Sequence, residues 1–396
     1  MNFRSIGFGR PCVVTARPLC FLGDHWAFLE TTGQGLPNRR CPPLVPGRAL
    51  LILLSPFSTK MESPNPSDSL VAPSLRTLLH EIVDYAGLFP PADLSLHRAL
   101  QNYAAYRREE EAWMLSRFVL PVRRLPDLTA YRNLLKEGEP YVFSVLGTGG
   151  GTADTFLEAF GRDLEVIGTF DENHGGRAQV GVMEVPLPKA LVGGSREEVA
   201  SFLDAVNRKL VAAGTAKLDL FLEVPMRSDA VASRQLSGLC AAVAEHNSRQ
   251  AVPARTVIGL KVRCGGDEPT DVPAVDDVAA LIVACRDAGI PFKATAGLHH
   301  PVRHYDDGLD TEMHGFLNVF AAAVLVAEHG LDAPDVQTIL REETPDNFRF
   351  LKDTFAWRDL TVSLDGVKHA RETLALSFGS CSFEEPIDHL RDLELL

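Results

Sequence analysis

Strand-length apolar runs alternate with segments of helical periodicity along most of this chain. The alternation begins near Leu75, continues to about residue 376 and contains eight strand-length runs. Because parallel neighbouring strands need a long crossover, usually a helix, this order predicts a parallel sheet. Eight repeats over this length favour a single α/β domain, a (β/α)₈ TIM-type barrel over residues 75–376.

An open, doubly wound sheet is the alternative fold. Such a sheet would be expected to carry a glycine-rich nucleotide-binding motif after its first strand. The first predicted strand instead continues into Asp84–Pro91 (DYAGLFPP), and the GTGGG string at Gly147–Gly151 lacks the required spacing and a following lysine. The barrel is therefore preferred, with Asn347–Leu351 as its weakest, eighth strand and residues 377–396 as a tail that packs on it.

Residues 1–60 differ in composition from the remainder of the chain. They carry seven basic residues against Asp24 and Glu30, and three of the seven cysteines, without a sustained helical or strand period. This pattern predicts a non-core segment, either an organelle transit peptide or an over-long start before Met61. A small folded N-terminal domain is the alternative. The Pro- and Ser-rich residues 61–74 are predicted to be a linker.

Composition limits the compartment and the partners. The net charge of −13 argues against nucleic acid as a partner, and no apolar run is long enough to span a membrane. No Cys-x-x-Cys occurs and the cysteine spacings do not suggest a disulfide framework, so we interpret Cys264 and Cys285 as thiols in a reducing compartment. We expect a soluble cytoplasmic protein, or an organellar one if residues 1–60 are a transit peptide. The apolar segment 315–329 predicts a helix that is deeply buried or lies at a homo-oligomer interface.

Two predicted strands, the sixth and seventh, each end in a lysine that a glycine follows four residues later. The pairs are Lys261 with Gly265 and Lys293 with Gly297. Since side chains alternate faces along a strand, Lys261 lies on the face opposite Leu260. Binding sites of such barrels lie at the carboxyl ends of the strands. In a closed barrel, both lysines therefore point into the same mouth.

Two carboxylates occupy similar strand-end positions. Glu184 and Glu223 each stand in a Glu-Val-Pro string at the end of the fourth and fifth predicted strands. Because charges are seldom buried unpaired, we expect them to meet the lysines, either as ion pairs that close the barrel or as catalytic groups. A second lysine and an apolar wall both favour a neutral amine, which can form a Schiff base with a carbonyl compound.

The other residues expected near this mouth are candidates for binding substrate or moving protons. Arg263 and the backbone amides of Gly265 and Gly266 are suited to an anionic group. His299, directly after the seventh strand, is a candidate for proton transfer alongside Glu184 and Glu223. Further candidates for substrate contact are Asp84, Gly297 and His300. No cofactor and no metal ligand are assigned in this interpretation, and the expected partner is a small anionic substrate.

The lysine strings resemble the lysine pair of deoxyribose-phosphate aldolase and its class I aldolase relatives. The resemblance covers the stretch from Lys261 to about Tyr305. It implies a lyase in which Lys261 forms the Schiff base, Lys293 tunes it, and an acidic residue of an earlier strand relays protons. The longer strings DYAGLFPPA, KATAGLHHP and GSCSFEEP resemble those of an uncharacterised bacterial family.

Two other classes of function stay open. His299, His300 and His304, together with Glu184 and Glu223, offer enough nitrogen and oxygen ligands for a metal-dependent hydrolase or lyase. A non-catalytic barrel that binds a small anion is the third class.

Overall fold

The computed structural model of this chain describes residues 71–214, 218–226, 233–249 and 256–396. The predictions for segment 1–60 and for most of the 61–74 linker fall outside these residues. The α-helices are α1 (Pro73–Leu79), α2 (Leu96–Tyr106), α3 (Ala153–His174), α4 (Lys189–Val192), α5 (Arg196–Ala213), α6 (Ser233–Arg249), α7 (Val275–Ala288), α8 (Phe316–His329), α9 (Ala333–Leu340), α10 (Leu364–Thr373) and α11 (Glu384–Asp392). The strands are β1 (Val83–Tyr85), β2 (Leu115–Pro121), β3 (Tyr141–Leu146), β4 (Ala178–Pro186), β5 (Asp219–Glu223), β6 (Ile258–Arg263), β7 (Phe292–Thr295), β8 (His304–Asp306), β9 (Thr311–Met313), β10 (Phe348–Phe350), β11 (Thr354–Trp357), β12 (Leu360–Ser363) and β13 (Ala375–Ser380).

Eight parallel strands close into a barrel. Strands β1 to β7 follow one another around it, and β13 closes the ring between β7 and β1. The predicted (β/α)₈ TIM-type fold is confirmed, and the open sheet is excluded. The crossover between β2 and β3 contains two 3₁₀ helices, Val122–Tyr131 and Leu134–Lys136, and the first of them contains Pro126. A proline inside a helix removes a backbone donor and clashes with the preceding turn, which disfavours an α-helix there.

The eighth barrel strand is not the predicted one. The predicted segment Asn347–Leu351 contains β10, which pairs antiparallel with β11 in a separate three-stranded sheet with β12. The barrel is closed by β13, whose sequence ALSFGS interrupts its apolar residues with serine and glycine. The boundary predicted at residue 376 therefore cuts through a barrel strand. Periodicity alone does not distinguish these short runs.

The most apolar helix, α8, is buried inside the chain. Every residue from Phe316 to Val326 is buried, and the helix packs against α7, α9 and α10. Its polar residue Asn318 is satisfied, because its amide donates to the carbonyls of Ile339 and Glu342 and its oxygen accepts from the backbone N–H of Arg303. Of the two predicted alternatives, burial in the core accounts for this helix. None of the helices described here is long and apolar enough to cross a membrane.

Replacing Phe378 should show whether β13 or the predicted segment Asn347–Leu351 is the eighth barrel strand. Phe378 on β13 is fully buried, with its ring centroid 5.4 Å from that of Phe316 and 5.9 Å from that of Phe320. We expect Phe378→Ala to lower the free energy of unfolding by about 3–5 kcal/mol, because it leaves a cavity in the core. Leu351→Ala is the matched control, since Leu351 is 55% exposed, and should cost less than about 0.5 kcal/mol. Denaturant unfolding measures both, and a larger effect at Leu351 would contradict the assignment.

Candidate active site

Three carboxylates and two lysines form one continuous chain of ion pairs inside the barrel. Glu184 lies at its centre, with Oε2 2.6 Å from Lys261 Nζ and Oε1 2.5 Å from Lys293 Nζ. Lys293 Nζ also lies 2.7 Å from Asp84 Oδ2, and Lys261 Nζ lies 3.1 Å from Glu223 Oε2. Each lysine therefore contacts two carboxylates, and one carboxylate joins the two lysines. We call these five residues the lysine network.

Strand register brings these side chains to one level of the barrel. Glu223 of β5 is paired with Lys261 of β6, which is paired with Lys293 of β7. Glu184 reaches them from β4, and Asp84 from β1 on the other side of β13. Side chains that point inward from several strands form the packed layers of such barrels. The layer is here filled with charged side chains instead of aliphatic ones.

Three further residues complete the polar contacts of the lysine network. The Ser377 hydroxyl donates to Asp84 Oδ2 at 2.6 Å, and the Ser144 hydroxyl donates to Glu184 Oε1 at 2.7 Å. The backbone N–H of Arg117 donates to Asp84 Oδ1 at 3.0 Å, and its guanidinium lies 3.8 Å from the same oxygen. Sequence reasoning missed all three. Ser144 could have been found from the sequence, because it interrupts the otherwise apolar run of β3. Ser377 could not, because it lies on the strand that was not predicted.

The lysine network runs from the barrel interior towards solvent. The side chains of Asp84, Glu184, Lys261 and Lys293 are at most 5% exposed, whereas that of Glu223 is 20% exposed. Phe221 covers the inner end, with Lys293 Nζ 5.5 Å from its ring centroid. We call the Lys261–Glu223 end, which has the partly exposed carboxylate, the outer end of the network, and the Lys293–Asp84 end the inner end. Asp84, predicted to contact substrate, is fully buried at the inner end.

The carboxylates reverse the expected ionisation of Lys261. Burial by itself favours the neutral amine, but the charges of Glu184 and Glu223 outweigh it and raise the pKa of Lys261. Burial would likewise raise the pKa of Glu184, yet Lys261 and Lys293 hold that pKa well below its usual value. This direction is opposite to the one expected from a second lysine and an apolar wall alone, because the carboxylate of Glu184 lies between the two lysines.

The neighbouring loops place the predicted anion-binding residues at the barrel mouth. Arg263 is exposed at the carboxyl end of β6 and is paired with Thr295 of β7. Gly265 and Gly297 bring the loops after β6 and β7 into contact, since a Cβ atom on Gly265 would lie 2.7 Å from Gly297 Cα. Gly297 also has a φ of 70°, which favours glycine. Gly266 is packed equally closely, against the side chain of Asp271.

The histidines after β7 lie outside the lysine network. His299 Nδ1 is 2.7 Å from Glu385 Oε2. The ring of His300 stacks on that of His389, with centroids 3.7 Å apart, and is tilted against that of His304, with centroids 3.9 Å apart. Within the described parts of the chain, no group of three potential metal ligands joins these histidines to Glu184 or Glu223. The metal site predicted from His299, His300 and His304 with the two glutamates is thus not assembled, because both glutamates bind lysines.

Comparison with known proteins gives structural likenesses at low identity. The chain matches no protein-family model and no curated protein sequence. Its structure is similar to two from Toxoplasma gondii ME49 described as a "putative deoxyribose-phosphate aldolase". The first is 10% identical with a TM-score of 0.42, and the match covers 81% of this chain and 96% of the other. The second, an apo-form, is 11% identical with a TM-score of 0.39, and the match covers 81% of this chain and 97% of the other. The catalytic domain of Cellulomonas fimi Cel6B is 11% identical over 56% of this chain and 65% of that one, with a TM-score of 0.30.

Glu184→Gln tests the central carboxylate through the pH dependence of stability. At neutral pH we expect it to lower the free energy of unfolding by about 3–5 kcal/mol, because a buried ion pair loses one partner. Since the pKa of Glu184 is lowered by folding, its contribution is present above the pKa of an unfolded glutamate, about 4.3, and is lost as pH falls towards the folded value. The deficit of the variant should therefore shrink by roughly 1.4 kcal/mol for each pH unit below about 4.3.

Glu223→Gln is the matched control for this measurement, because Glu223 is partly exposed and contacts one lysine. It should cost less than Glu184→Gln at neutral pH. Equal costs in the two variants, or a Glu184→Gln deficit that stays constant down to pH 3, would contradict the central position of Glu184.

Proposed function

We propose that this protein is a lyase-type enzyme that forms a Schiff base between Lys261 and a small anionic carbonyl compound. The observation that carries the proposal is the outer end of the lysine network, where Lys261 Nζ lies 2.6 Å from Glu184 and 3.1 Å from the partly exposed Glu223. A lysine beside the barrel mouth thus has two carboxylates within reach of its proton. Lysines that form Schiff bases need such a neighbouring proton acceptor.

Position in the lysine network selects Lys261 over Lys293 as the nucleophile. Lys293 is enclosed by Asp84, Glu184 and the ring of Phe221, all of which are buried. Lys261 has the partly exposed Glu223 as its second partner. A substrate entering from the mouth would meet Glu223 and Lys261 first. Lys293 then acts as a positioning residue, since it holds the far oxygen of Glu184.

The proton needed for the first step stays within the network. Lys261 passes a proton to Glu223, and the amine nitrogen then bonds to the carbonyl carbon while one of its two remaining protons passes to the carbonyl oxygen. The resulting hydroxyl leaves as water after a second protonation by the carboxylic acid, and the nitrogen lone pair forms the C=N bond. The iminium ion carries the same positive charge as the original ammonium. Glu184 therefore keeps a cationic partner, and no buried charge is left uncompensated.

The iminium ion then serves as the electron acceptor for carbon–carbon cleavage. A carboxylate removes the proton of a hydroxyl group β to the iminium carbon, the C–C bond breaks, and its electrons pass to the nitrogen to give an enamine and a free carbonyl product. Protonation of the enamine and addition of water release the second product and return the lysine. Arg263, exposed at the end of the same strand, is suited to hold an anionic group of the substrate.

Borohydride trapping tests the nucleophile directly. The protein would be incubated with a panel of small phosphorylated and carboxylated aldehydes and ketones and then reduced with borohydride. The mass of the intact protein would be measured by mass spectrometry. We expect one covalent adduct per chain that maps to the peptide containing Lys261. Lys261→Arg should abolish it, because a guanidinium does not lose its proton. Lys352→Arg, at an exposed lysine, is the matched control and should leave the adduct unchanged.

Lys293→Met tests the positioning role. Removing the neighbouring positive charge should raise the pKa of Lys261, so that trapping still occurs on Lys261 but needs a higher pH to reach half of its maximal rate. An adduct that persists in Lys261→Arg, or that maps to Lys293, would overturn the assignment. Tight binding of phosphate or carboxylate compounds without any trapped adduct would favour the non-catalytic barrel instead.

A further inference from the structure

A second cluster of reactive side chains lies at the carboxyl end of the barrel. His299 follows β7, Cys381 follows the neighbouring strand β13, and Glu385 is in the first turn of α11. One potential ligand atom from each residue lies within 4.8 Å of the other two. The three come from two adjacent barrel strands and the helix that follows, so the fold holds them together. None of them belongs to the lysine network.

The spacing of the three atoms suits a tetrahedral metal ion. Zinc bonds to nitrogen, oxygen and sulfur are about 2.0–2.3 Å long, which places tetrahedral ligand atoms roughly 3.3–3.6 Å apart. The cluster spans that range: His299 Nδ1 and Glu385 Oε2 are 2.7 Å apart, and all pairs lie within 4.8 Å. Because the Glu385 side chain is 52% exposed, a small rotation of it opens the space for an ion.

Neighbouring side chains hold His299 and Glu385 in place. The Glu385 backbone N–H donates to the Ser382 hydroxyl, and the His389 ring contacts the carbonyl of His299. Cys381 is a buried free thiol, so its sulfur is not engaged in a disulfide.

We propose that His299, Cys381 and Glu385 bind a Zn²⁺ ion, or another metal ion of similar softness, through three protein ligands. One imidazole, one thiolate and one carboxylate form a donor set that suits zinc and cobalt better than magnesium or calcium. Three protein ligands leave the fourth position of a tetrahedral ion for water or for an oxygen of a small anion. The site goes beyond the proposed function and does not depend on it, since metal binding is measured without turnover.

Cobalt substitution tests the site in the full-length protein. After chelator treatment, Co²⁺ would be titrated while absorption spectra are recorded. We expect one ion per chain, with the intense visible bands of tetrahedral Co²⁺ and a thiolate-to-cobalt band in the near ultraviolet, both removed by one equivalent of Zn²⁺. Cys381→Ser should abolish the near-ultraviolet band. His299→Gln and Glu385→Gln should each weaken Co²⁺ binding by at least about tenfold, because each removes a direct ligand.

Two variants control for other thiols and imidazoles. Cys264→Ser removes a buried thiol that directly follows β6, and His304→Gln removes the ring that contacts His300. Both should leave the spectrum unchanged. Because Glu385 is half-exposed, Glu385→Gln should leave the fold intact. It therefore tests the site even if Cys381→Ser fails to fold. A thiolate band that persists in Cys381→Ser, a Co²⁺ affinity unaffected by Glu385→Gln, or the absence of any thiolate band in the unaltered protein would overturn the proposal.

Discussion

The carboxylate of Glu184, shared between Lys261 and Lys293, is the interaction on which the barrel interior depends. It links β4 to β6 and β7, and through Lys293 it also reaches Asp84 on β1. The effective cost of taking an ion out of water is several kcal/mol, and it is offset only when partners and hydrogen bonds surround the charge. Four strands therefore meet at Glu184 and its partners, and the residues that stabilise the centre of the barrel are also those to which we assign the proposed reaction.

This double role constrains any reaction inside the barrel. Neutralising one member of the lysine network leaves its neighbour uncompensated, so a reaction there must conserve charge locally. Conversion of an ammonium to an iminium ion meets that condition, because the positive charge stays on the same nitrogen. The partly exposed Glu223 gives the network contact with solvent, whereas Asp84 and Ser377 at the inner end are buried. The exposure of the second carboxylate partner, Glu223 for Lys261 and Asp84 for Lys293, distinguishes two lysines that strand phase alone left equivalent.

Much of this arrangement was predictable from strand phase. Period-two alternation placed Lys261 and Lys293 inside, and the repeated Glu-Val-Pro strings placed Glu184 and Glu223 at strand ends. The protonation state of Lys261 was not predictable, because it depends on which oxygen each lysine reaches across the barrel. Strand β13 was missed because its inward Ser377 breaks the apolar pattern that defines a strand, and the same serine binds Asp84. Strands that carry polar residues inside a barrel are therefore hard to predict from apolar patterns.

The most direct test of the shared carboxylate is a double-mutant cycle of Lys261→Met and Lys293→Met, measured as free energy of unfolding at neutral pH. Either single variant leaves Glu184 with one cationic partner, whereas the double variant leaves it with none. We predict that the double variant loses at least about 1 kcal/mol more than the two single losses combined, and that this excess disappears in a Glu184→Gln background. Losses that add to within about 0.3–0.5 kcal/mol would contradict the account, since independent sites behave in that way.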